Sequence, residues 1–529
     1  MLARVLSAVN IGLDSQIVEV EVDVSGGWPA FEIVGLPDKA VNEAKERVRS
    51  AIVNSGFKFL PGNKKRVVVN LAPADIKKEG PVYDLPIALG VLIATGQLDR
   101  ANQVNQTNQV SRLALGESLF IGELSLNGEL RHTSGVLPMA LLAKKKRIKH
   151  IYLPQANAEE AALVDGLRVY PLKSLRHLLE HSFGQTEIKC FKPRKPLKSE
   201  LNCDEYEFDF GYIKGQQFVK RALEISAAGG HNVLMIGPPG SGKTLLAKSV
   251  PSILPQMSKD EILEVTKIYS VAGFLKQGEF LKYQRPFRSP HPTISDVAMV
   301  GGGQVPRPGE VSLAHRGVLF LDELTHFSRM TLESLRQPLE DGHIFVSRAR
   351  GAVSYPSKFI LIASMNPCQC GYYGDKEHEC KCSAGDILRY RRRISGPFLD
   401  RIDLHLNVPR VKVDKLMSEK VAEGSGKIRE RVERARQIQR KRFSFVRGLK
   451  TITNAEMTAP QIKEFCRLDR AGEDLLKRAL EKFILSARAY HRILKVARTI
   501  ADLTGSDIIK VDHIAEAVQY RTKMDENLI

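Results

Sequence analysis

The chain has 529 residues, of which 43% are apolar and 26% charged, a balance typical of a soluble globular protein with about two to four domains. Its 79 Lys and Arg against 60 Asp and Glu give a net charge of +19. This excess favours a polyanionic partner such as nucleic acid, although a basic protein that is simply soluble is the alternative. Seven cysteines in a chain of this length do not suggest a secreted disulfide framework. The most apolar stretch, Leu85–Gly96, is too short to span a bilayer, and Met1–Asn10 is too short and polar for a signal-peptide core, so we expect a cytoplasmic protein.

Residues 1–183 are predicted to form a first domain of mixed α/β structure. Ile17–Val24 alternates apolar and acidic residues, which indicates a half-buried strand. Further predicted elements are a helix at Asp38–Asn54, a strand at Lys65–Leu71 and a buried helix at Leu85–Thr95. The polar, Asn/Gln-rich stretch Ala101–Ser111 predicts a surface loop. Residues 184–207, with two prolines, several lysines and no convincing period, predict a linker.

A phosphate-binding loop is predicted at Gly237–Thr244, which fits G-x-x-x-x-G-K-[ST]. It lies between an apolar strand candidate, Asn232–Ile236, and a helix candidate, Leu245–Val250, as the motif requires. Glycine lets the backbone approach phosphate closely, and the loop amides and helix N-terminus then bind the anion. We expect Lys243 to reach the β- and γ-phosphates and Thr244 to ligate Mg²⁺. The residues predicted to bind the nucleotide are Gly237, Pro238, Pro239, Gly240, Ser241, Gly242, Lys243, Thr244 and Leu245.

Two later strand candidates supply the polar residues that ATP hydrolysis needs. Val318–Glu323 is an apolar run that ends in two carboxylates. We expect Asp322 to hold the metal shell and Glu323 to polarise the attacking water. Phe359–Met365 is a third strand candidate, followed by Asn366, whose amide can orient that water. Together with the loop, these residues predict a nucleotide site that binds and hydrolyses ATP.

Two arginines further along the chain are candidates for contacting the γ-phosphate. Arg401 lies in the segment Gly396–Leu404, and Arg488 lies on the helix predicted at Ser486–Leu503. An arginine at this position stabilises transition-state charge and increases the rate by about 10³ or more. A surface salt bridge is the alternative for a lone arginine, so the assignment of both residues rests mainly on resemblance to a known family. The region 410–529 is predicted to be mostly helical and includes a basic helix candidate.

Four of the seven cysteines fall within fifteen residues, as the pairs Cys368-x-Cys370 and Cys380-x-Cys382. Two close pairs of thiolates can form a tetrahedral structural Zn²⁺ site, although this spacing is tighter than the usual C-x₂-C. His378 could replace one thiol. Unmetallated thiols and a redox disulfide are the alternatives.

Several segments besides the two nucleotide motifs are similar to those of one known family. These segments are Val34–Asp38, Glu79–Pro86, Arg285–Pro292, Asn366–Gly371 and Gly396–Arg401. With them, the whole chain resembles the ComM competence-protein family of magnesium-chelatase-like AAA+ ATPases. The resemblance implies an α/β fold: a Lon-protease-like domain at 1–183, the linker, an AAA+ nucleotide-binding domain at 208–409 and a helical lid domain at 410–529.

The resemblance also implies a hexameric ring that translocates DNA, with branch migration and unwinding during natural transformation as its task. In such rings the nucleotide lies between subunits, so Arg401 is expected to act on a site whose Lys243 belongs to the neighbour. Arg488 matches the second-sensor position of the family.

Members of this branch carry two hairpin insertions that line the pore of the ring. By resemblance, the first is expected within Tyr283–Glu310 and the second at Ile344–Tyr355, with Arg348 and Arg350 near its tip. Cations on pore loops can bind successive phosphates without reading the sequence. Pairing of these arginines with neighbouring subunits is the alternative.

Three other activities are weighed against a DNA motor. A Lon-type peptidase needs a Ser–Lys dyad, but Val82 and Leu137 stand where the two residues are expected, so we expect no peptidase activity. A chelatase-type motor shares the ATP chemistry but has no DNA substrate. A protein-remodelling motor usually has an aromatic pore residue, for which Tyr283, Phe287 and Phe345 are candidates.

Overall fold

The structure is a computed structural model in which the chain divides into two compact units. It describes residues 2–60, 65–78, 80–100, 113–192, 206–275, 281–303, 306–348, 351–375, 377–411, 422–444, 451–482 and 486–528. The predicted surface loop Ala101–Ser111 therefore lies outside the described residues, as do 193–205 of the predicted linker.

The two units follow bounds that differ from the predicted domains. The first unit consists of Met1–Pro196 and Ile262–Lys282, and the second of Leu197–Glu261 and Tyr283–Ile529. Thus a segment of the predicted nucleotide-binding domain belongs to the first unit, and the helical C-terminal region shares a unit with the nucleotide-binding core.

The first unit is built on a mixed sheet of seven strands among the described residues, in the order β3-β4-β2-β1-β5-β8-β9. Its strands are β1 (Leu2–Ile11), β2 (Asp14–Gly26), β3 (Ala30–Val34), β4 (Lys65–Ala72), β5 (Ser118–Phe120), β8 (His150–Pro154) and β9 (Arg168–Leu172), with β6 (Glu123–Leu124) and β7 (Leu130–Arg131) as a separate pair. β2 pairs antiparallel with β1 and β4, and the remaining pairs of the large sheet are parallel. Along β2, Val18, Val20 and Val22 are fully buried while the acidic residues between them face outward, as the alternating pattern predicted.

Helices cover the buried face of this sheet. They are Lys39–Asn54, Asp84–Ala94, Gln97–Arg100, Val136–Lys145, Ala158–Ala161 and Leu175–Ser182. Asp38 caps the first of them by accepting a hydrogen bond from the Val41 amide at 2.7 Å, as expected for a helix that begins after an aspartate. The predicted helices at Asp38–Asn54 and Leu85–Thr95 are thus present within one residue of their observed bounds.

Part of the predicted linker packs against the first unit. Ile188 is buried in its core, and the Phe191 amide donates to the Val169 carbonyl of β9 at 2.7 Å. Residues of the predicted linker up to 192 are thus held by contacts with the first unit, through two apolar side chains among charged neighbours.

The helix Lys259–Ala272 joins the first unit from residue 262 onward. Leu263 packs against the core of the first unit, and Lys267 pairs with Asp14 at 3.0 Å. The Ser270 hydroxyl donates to the buried Glu160 carboxylate, which also accepts from the Leu137 amide at 2.9 Å. This segment is thus held by apolar, ionic and hydrogen-bonding contacts at once.

The two positions at which a peptidase dyad is missing both lie inside the first unit. Val82 and Leu137 are buried apolar side chains. Neither offers a nucleophile or a base, so the expectation of no peptidase activity stays a prediction that rests on side-chain chemistry.

The second unit contains a parallel sheet of five strands within the part of the chain that is described, in the order β11-β14-β17-β10-β18. The strands of this unit are β10 (Val233–Ile236), β11 (Phe287–Arg288), β12 (Gly301–Gly302), β13 (Arg307–Pro308), β14 (Val318–Leu321), β15 (His343–Arg348), β16 (Gly351–Pro356), β17 (Ile360–Met365) and β18 (Leu404–Asn407). β14 and β17 are buried along their whole length, which is typical of a parallel sheet covered on both faces. Because β10 lies between β17 and β18, the strand order reverses at β10.

Helices of the second unit flank this sheet and form the C-terminal region. They are Gln217–Gly229, Lys243–Ser249, Asp296–Val300, Glu310–Leu313, Arg329–Ser334, Arg336–Asp341, Ala384–Arg391, Gly396–Leu399, Ser425–Ser444, Ala459–Phe465, Arg470–Lys482, Ala487–Leu503 and Val511–Leu528. Ser486 caps the helix Ala487–Leu503 by accepting from the Ala489 amide at 3.2 Å. The α/β core with a helical C-terminal region confirms the predicted fold class.

Hairpins are present in both segments where insertions were expected. β12 and β13 form a short antiparallel pair, and β15 and β16 form a longer hairpin in which Arg348 pairs with Gly351. Arg348 is the last residue of β15, and Arg350 lies outside the described residues. A membrane-crossing helix, which would need a long apolar stretch, is not found in the described part of the chain.

Candidate nucleotide site and metal centre

The loop Gly237–Thr244 follows the carboxyl end of β10, at the point where the strand order reverses. This is the place where parallel α/β sheets bind ligands. A Cβ atom on Gly237 would lie 2.2 Å from the Val408 carbonyl oxygen, so only glycine fits beside β18. Gly240 and Gly242 have φ of +77° and +84°, a conformation that turns the loop amides toward a common centre and favours glycine.

Lys243 lies inside the loop as the motif predicted. Its Nζ donates to the carbonyl oxygens of Gly237 at 2.7 Å and Pro238 at 2.9 Å, and to Asn366 Oδ1 at 3.3 Å. Burial lowers the pKa of the ammonium group, whereas the nearby carboxylates of Asp322 and Glu323 raise it. The structure therefore brings together four of the predicted residues at the carboxyl edge of the sheet.

The side chains that would hold Mg²⁺ are already in contact. The Thr244 hydroxyl donates to Asp322 Oδ2 at 2.9 Å, and the Ser364 hydroxyl donates to Asp322 Oδ1. A hydroxyl and a carboxylate oxygen at this separation are the hard oxygen ligands that Mg²⁺ prefers beside a triphosphate. The residues present thus fit the metal that a phosphate-binding loop implies.

Glu323 follows β14 in a left-handed conformation, with φ of +54°, which is uncommon for a residue with a side chain. Its Oε2 lies 3.0 Å from His326 Nδ1, and its amide donates to the Ser364 hydroxyl at 3.4 Å. Sequence reasoning missed Ser364 and His326. Ser364 lies near the end of β17, two residues before Asn366, and His326 lies three residues after Glu323. These spacings indicate a role only once the ends of the strands are known.

Arg401 and Arg488 lie together, but not with the phosphate-binding loop of the same chain. Arg401 is buried and donates to the carbonyl oxygens of Arg336 and Pro397 and to the Glu340 carboxylate. Arg488 is exposed and lies 3.8 Å from the same Glu340 carboxylate. The two arginines therefore share one anionic partner.

This arginine pair is at the amino edge of the sheet. Arg401 and Asp403 directly precede β18, and both hydrogen-bond to Asn232, which directly precedes β10. Lys243 and Asn366 follow the carboxyl ends of β10 and β17. A strand of four residues spans about 10 Å, so Arg401 and the phosphate-binding loop lie at opposite ends of the strands of this sheet. The roles of Arg401 and Arg488 at a nucleotide stay predictions.

The four cysteines converge on one point. Their Sγ atoms all lie within 4.8 Å of one another, and those of Cys368, Cys370 and Cys380 are 3.3 to 3.7 Å apart. A tetrahedral zinc with Zn–S bonds of about 2.3 Å separates its sulfurs by about 3.8 Å, so the spacing fits Zn²⁺. The six described cysteines form no disulfide. His378 instead lies against the Tyr372 ring, with centroids 5.0 Å apart.

The cysteine loop also touches the nucleotide site. A backbone hydrogen bond from Tyr372 lowers the pKa of Cys370 to about 6, whereas the pKa values of Cys368, Cys380 and Cys382 are raised, so Cys370 is the thiol that most readily gives the thiolate a metal needs. A Cβ atom on Gly371 would lie 2.8 Å from Pro239 Cδ, so this loop packs directly on the phosphate-binding loop. The cluster is thus placed to support the loop and not to take part in chemistry.

A phosphate-binding loop at the strand reversal, followed by acidic residues after β14 and an amide after β17, defines a nucleotide-binding protein of the AAA+ class. Residues 209–416 match the family described as magnesium chelatase, subunit ChlI. Residues 20–157 match subunit ChlI of Mg-chelatase, and residues 422–521 match magnesium chelatase, subunit ChlI C-terminal. The chain belongs to the ComM family of magnesium-chelatase-like AAA+ proteins, as its sequence motifs predicted. Membership implies ATP and Mg²⁺ as the ligands of the site.

Relatives cover nearly the whole chain. Competence protein ComM of Haemophilus influenzae is 42% identical over 98% of this chain and 97% of its own length. Uncharacterized protein YifB of Escherichia coli is also 42% identical, over 98% of this chain and 97% of its own length. The chloroplastic magnesium-chelatase subunit ChlI of Chlamydomonas reinhardtii is 25% identical over 42% of this chain and 58% of its own length.

Proposed function

We propose that this protein is an ATP-driven motor that works as a hexameric ring and moves branched DNA during natural transformation. The observation that carries the ring is the separation of Lys243 from Arg401 and Arg488 at opposite edges of one sheet. A site of this kind is complete only when the amino edge of one copy faces the carboxyl edge of the next.

In the proposed ring, each nucleotide site combines residues from two neighbouring copies of the chain. Lys243 and the loop amides bind the triphosphate, and Thr244 and Asp322 hold Mg²⁺, which offsets charge on the phosphates. Glu323 polarises the attacking water, and Asn366 orients it. Arg401 and Arg488 of the neighbouring copy stabilise the charge that develops on the transferred phosphate.

A mixing experiment tests the division between copies. Lys243→Ala and Arg488→Ala should each abolish ATP turnover, and Arg488 is the better partner because its exposed side chain can be removed without leaving a cavity. In randomly mixed rings with equal amounts of both variants, about a quarter of the interfaces combine an intact loop with an intact arginine, so about a quarter of the turnover should return.

The control is Arg389→Ala, an exposed arginine on the helix Ala384–Arg391 whose loss should leave turnover unchanged. Mixed rings that demonstrably assemble but recover no turnover would contradict the shared site. ATP binding by Gly237–Thr244 would be unaffected by that outcome.

DNA as the substrate is supported by the charge of the chain, by the hairpin of β15 and β16, and by the name of the Haemophilus relative. The net charge of the chain is +19, and Arg348 and Arg350, the arginines predicted for the hairpin tip, contribute to this positive charge. Cations that contact backbone phosphates bind without sequence preference and lose affinity steeply as salt rises.

Forked and single-stranded DNA should therefore stimulate ATP turnover at low salt, and Arg348→Ala with Arg350→Ala should weaken both the stimulation and its salt dependence. Migration of a three-strand junction by the wild-type protein should fail in the same double variant. If DNA neither binds nor changes ATP turnover at low salt, the DNA motor is ruled out.

A second candidate function is an ATP-driven motor whose substrate is a polypeptide. Phe345 on β15 is 58% exposed although it belongs to a regular hairpin, and an aromatic side chain there suits a protein substrate. Phe345→Ala should leave DNA-stimulated turnover intact if the substrate is DNA, and should abolish substrate-stimulated turnover if it is protein.

A further inference from the structure

A cavity of about 530 Å³ lies in the second unit, at the amino edge of the parallel sheet. Its lining includes the residues that directly precede four of the strands, namely Asn232, Gly317, Phe359 and Asp403. It is therefore distinct from the phosphate-binding loop of the same chain, which follows the carboxyl ends. Its volume is in the range of small-molecule sites.

Positive charge is in excess around this cavity. The lining carries eight Lys and Arg side chains against five Asp and Glu side chains. Six of the eight cations lie within ion-pair distance of a carboxylate, but two of them share Glu340 and two share Glu456. The carboxylates present are too few to neutralise the cations.

Arg436 and Lys495 line the cavity without a carboxylate within 4.0 Å, as far as the described residues extend. Arg436 is only 7% exposed, donates to the Ala227 carbonyl at 3.0 Å and has no hydrogen-bond partner at Nε. Among the described residues, the Lys495 ammonium donates to the Ala455 carbonyl alone, at 2.8 Å. Burial lowers the pKa of Arg436 to about 9 and also lowers that of Lys495. A buried cation with an unused donor is costly unless a further anion partners it.

One more polar group and an apolar wall complete the lining. The Ser357 hydroxyl is buried and makes no hydrogen bond to the described residues. Leu254, Met457 and Ile462 supply apolar surface. Arginine and lysine are the usual phosphate-binding side chains, and a hydroxyl can donate a further hydrogen bond to a phosphate oxygen.

We propose that this cavity is a second anion site that binds a phosphate group, with Arg436 and Lys495 as its principal side chains. The phosphate can belong to a free phosphorylated compound or to a nucleotide that a neighbouring copy holds. The chemistry is the same in both cases, and the site does not require that the chain hydrolyse ATP or bind DNA.

The experiment measures binding of inorganic phosphate to the full-length, nucleotide-free protein by equilibrium dialysis and by the shift of the melting midpoint. Lys243→Ala removes the phosphate contact of the loop but should retain a phosphate site, because the cavity does not include the loop, and the cavity variants are therefore made in the Lys243→Ala chain. Arg436→Met and Lys495→Met should each weaken binding by about tenfold or more, as expected for the loss of a charged hydrogen-bond partner. Arg440→Met is the matched control, since Arg440 lies on the same helix, outside the cavity, and pairs with Glu433.

Arg436→Lys should retain part of the affinity, because it keeps the charge. If Arg436→Met does not fold, Lys495→Met decides the question, since its side chain is less buried. Phosphate affinity that is unchanged in Lys495→Met, or that is lost in Lys243→Ala alone, would overturn the second site. Phosphate binding that persists in Lys243→Ala assigns the bound phosphate to the cavity. Loss of phosphate binding in the cavity when wild-type rings are loaded with a non-hydrolysable nucleotide would identify a neighbour's nucleotide as the source of the phosphate, and retained binding would identify a free phosphorylated compound.

Discussion

Asp322 is the residue on which the nucleotide site converges. One of its oxygens accepts from Thr244 and the other from Ser364, so its carboxylate is oriented on both sides before any metal arrives. A carboxylate fixed in this way loses little conformational entropy when it binds a cation. Ser364 is therefore a positioning residue, although it would not touch the nucleotide.

Ser364→Ala removes the hydroxyl that contacts both Asp322 and the Glu323 amide. We expect the Mg²⁺ concentration needed for half-maximal ATP turnover to rise by about tenfold or more, because outer partners orient metal ligands. Turnover at saturating Mg²⁺ should largely recover. Ser312→Ala is the control, since the buried Ser312 hydroxyl makes no hydrogen bond to the described residues. Equal Mg²⁺ dependence in the two variants would contradict the role of Ser364.

Motif spacing predicted the residues at the carboxyl edge of the sheet, but not their partners. Lys243 and Asp322 follow from local patterns, since each belongs to a loop or strand end that the sequence marks. Glu340, which accepts from Arg401, could not be predicted, because nothing in its surroundings distinguishes it from a solvated helix residue. Such partners depend on which elements the fold brings together.

At the scale of elements, the cysteine loop is the part of the site whose four thiol groups could hold a metal ion. It packs against Pro239 of the phosphate-binding loop through Gly371. A metal bound to these thiolates would fix the geometry of the loop. Loss of the metal should therefore disturb ATP binding as well as local stability.

The wild-type protein should contain about one zinc per chain, and Cys368→Ser with Cys382→Ser should remove it. We expect the double variant to lose several kcal/mol of stability in the second unit and to bind ATP more weakly. Cys190→Ser, an exposed cysteine outside the cluster, should change neither quantity. Zinc analysis, melting curves and ATP titration measure the three effects, and a wild-type zinc content near zero would rule out the metal.

The helix Lys259–Ala272 begins with a reciprocal cap. The Ser258 amide donates to Glu261 Oε2 at 2.9 Å, and the Glu261 amide donates to the Ser258 hydroxyl at 3.2 Å. Glu261 also pairs with Arg285 at 3.2 Å. Burial raises the pKa of Glu261, but the Arg285 charge and these hydrogen bonds outweigh it and bring the pKa down to about 2.

Glu261→Gln keeps the cap but removes the charge that pairs with Arg285. A folded pKa lowered from 4.5 to about 2 contributes about 3 kcal/mol of stability, which is present above the unfolded pKa and lost as the pH falls toward 2. The variant should therefore unfold at lower urea than the wild type at about pH 7, and the difference should shrink below about pH 4.5. Asp260→Asn, at the exposed preceding residue, is the control. A difference that does not depend on pH would contradict the ion pair.

Element positions were predictable where a strong local pattern exists. The strand predicted from its apolar run at Phe359–Met365 is β17, whereas the hairpin at Ile344–Tyr355, observed as β15 and β16, was expected only from the family resemblance. The sequence did not reveal that residues 262–282 leave the nucleotide-binding core. Their apolar pattern is that of any amphipathic helix, and it does not say which core will bury it.

At the scale of the whole molecule, the first unit is not a separable N-terminal module. It is closed by Ile262–Lys282, a segment that lies between parts of the second unit in the chain. Deletion of residues 1–196 should therefore expose Leu263 and leave Ser270 without Glu160.

We expect the truncated chain 197–529 to aggregate, because an apolar helix face loses its cover. Leu263→Gln in the truncated chain should raise the soluble fraction, measured by size-exclusion chromatography, and the same substitution in the full chain should lower stability by about 1 to 3 kcal/mol. A soluble truncated chain with wild-type ATP turnover would show that the segment does not depend on the first unit.

The carboxylate of Glu340 binds the same two arginines that the proposed ring would direct at a neighbour's phosphate. In an isolated copy it therefore provides an anion in place of the nucleotide and holds Arg401 and Arg488 in position, although one carboxylate offsets only one of their two charges. In the proposed ring, each new interface would exchange this internal anion for a phosphate of the neighbouring copy, so ring closure and nucleotide occupancy would belong to one equilibrium. In such a ring, ATP binding would strengthen the interfaces between copies and phosphate release would weaken them. No separate element would be needed to detect whether a nucleotide is bound.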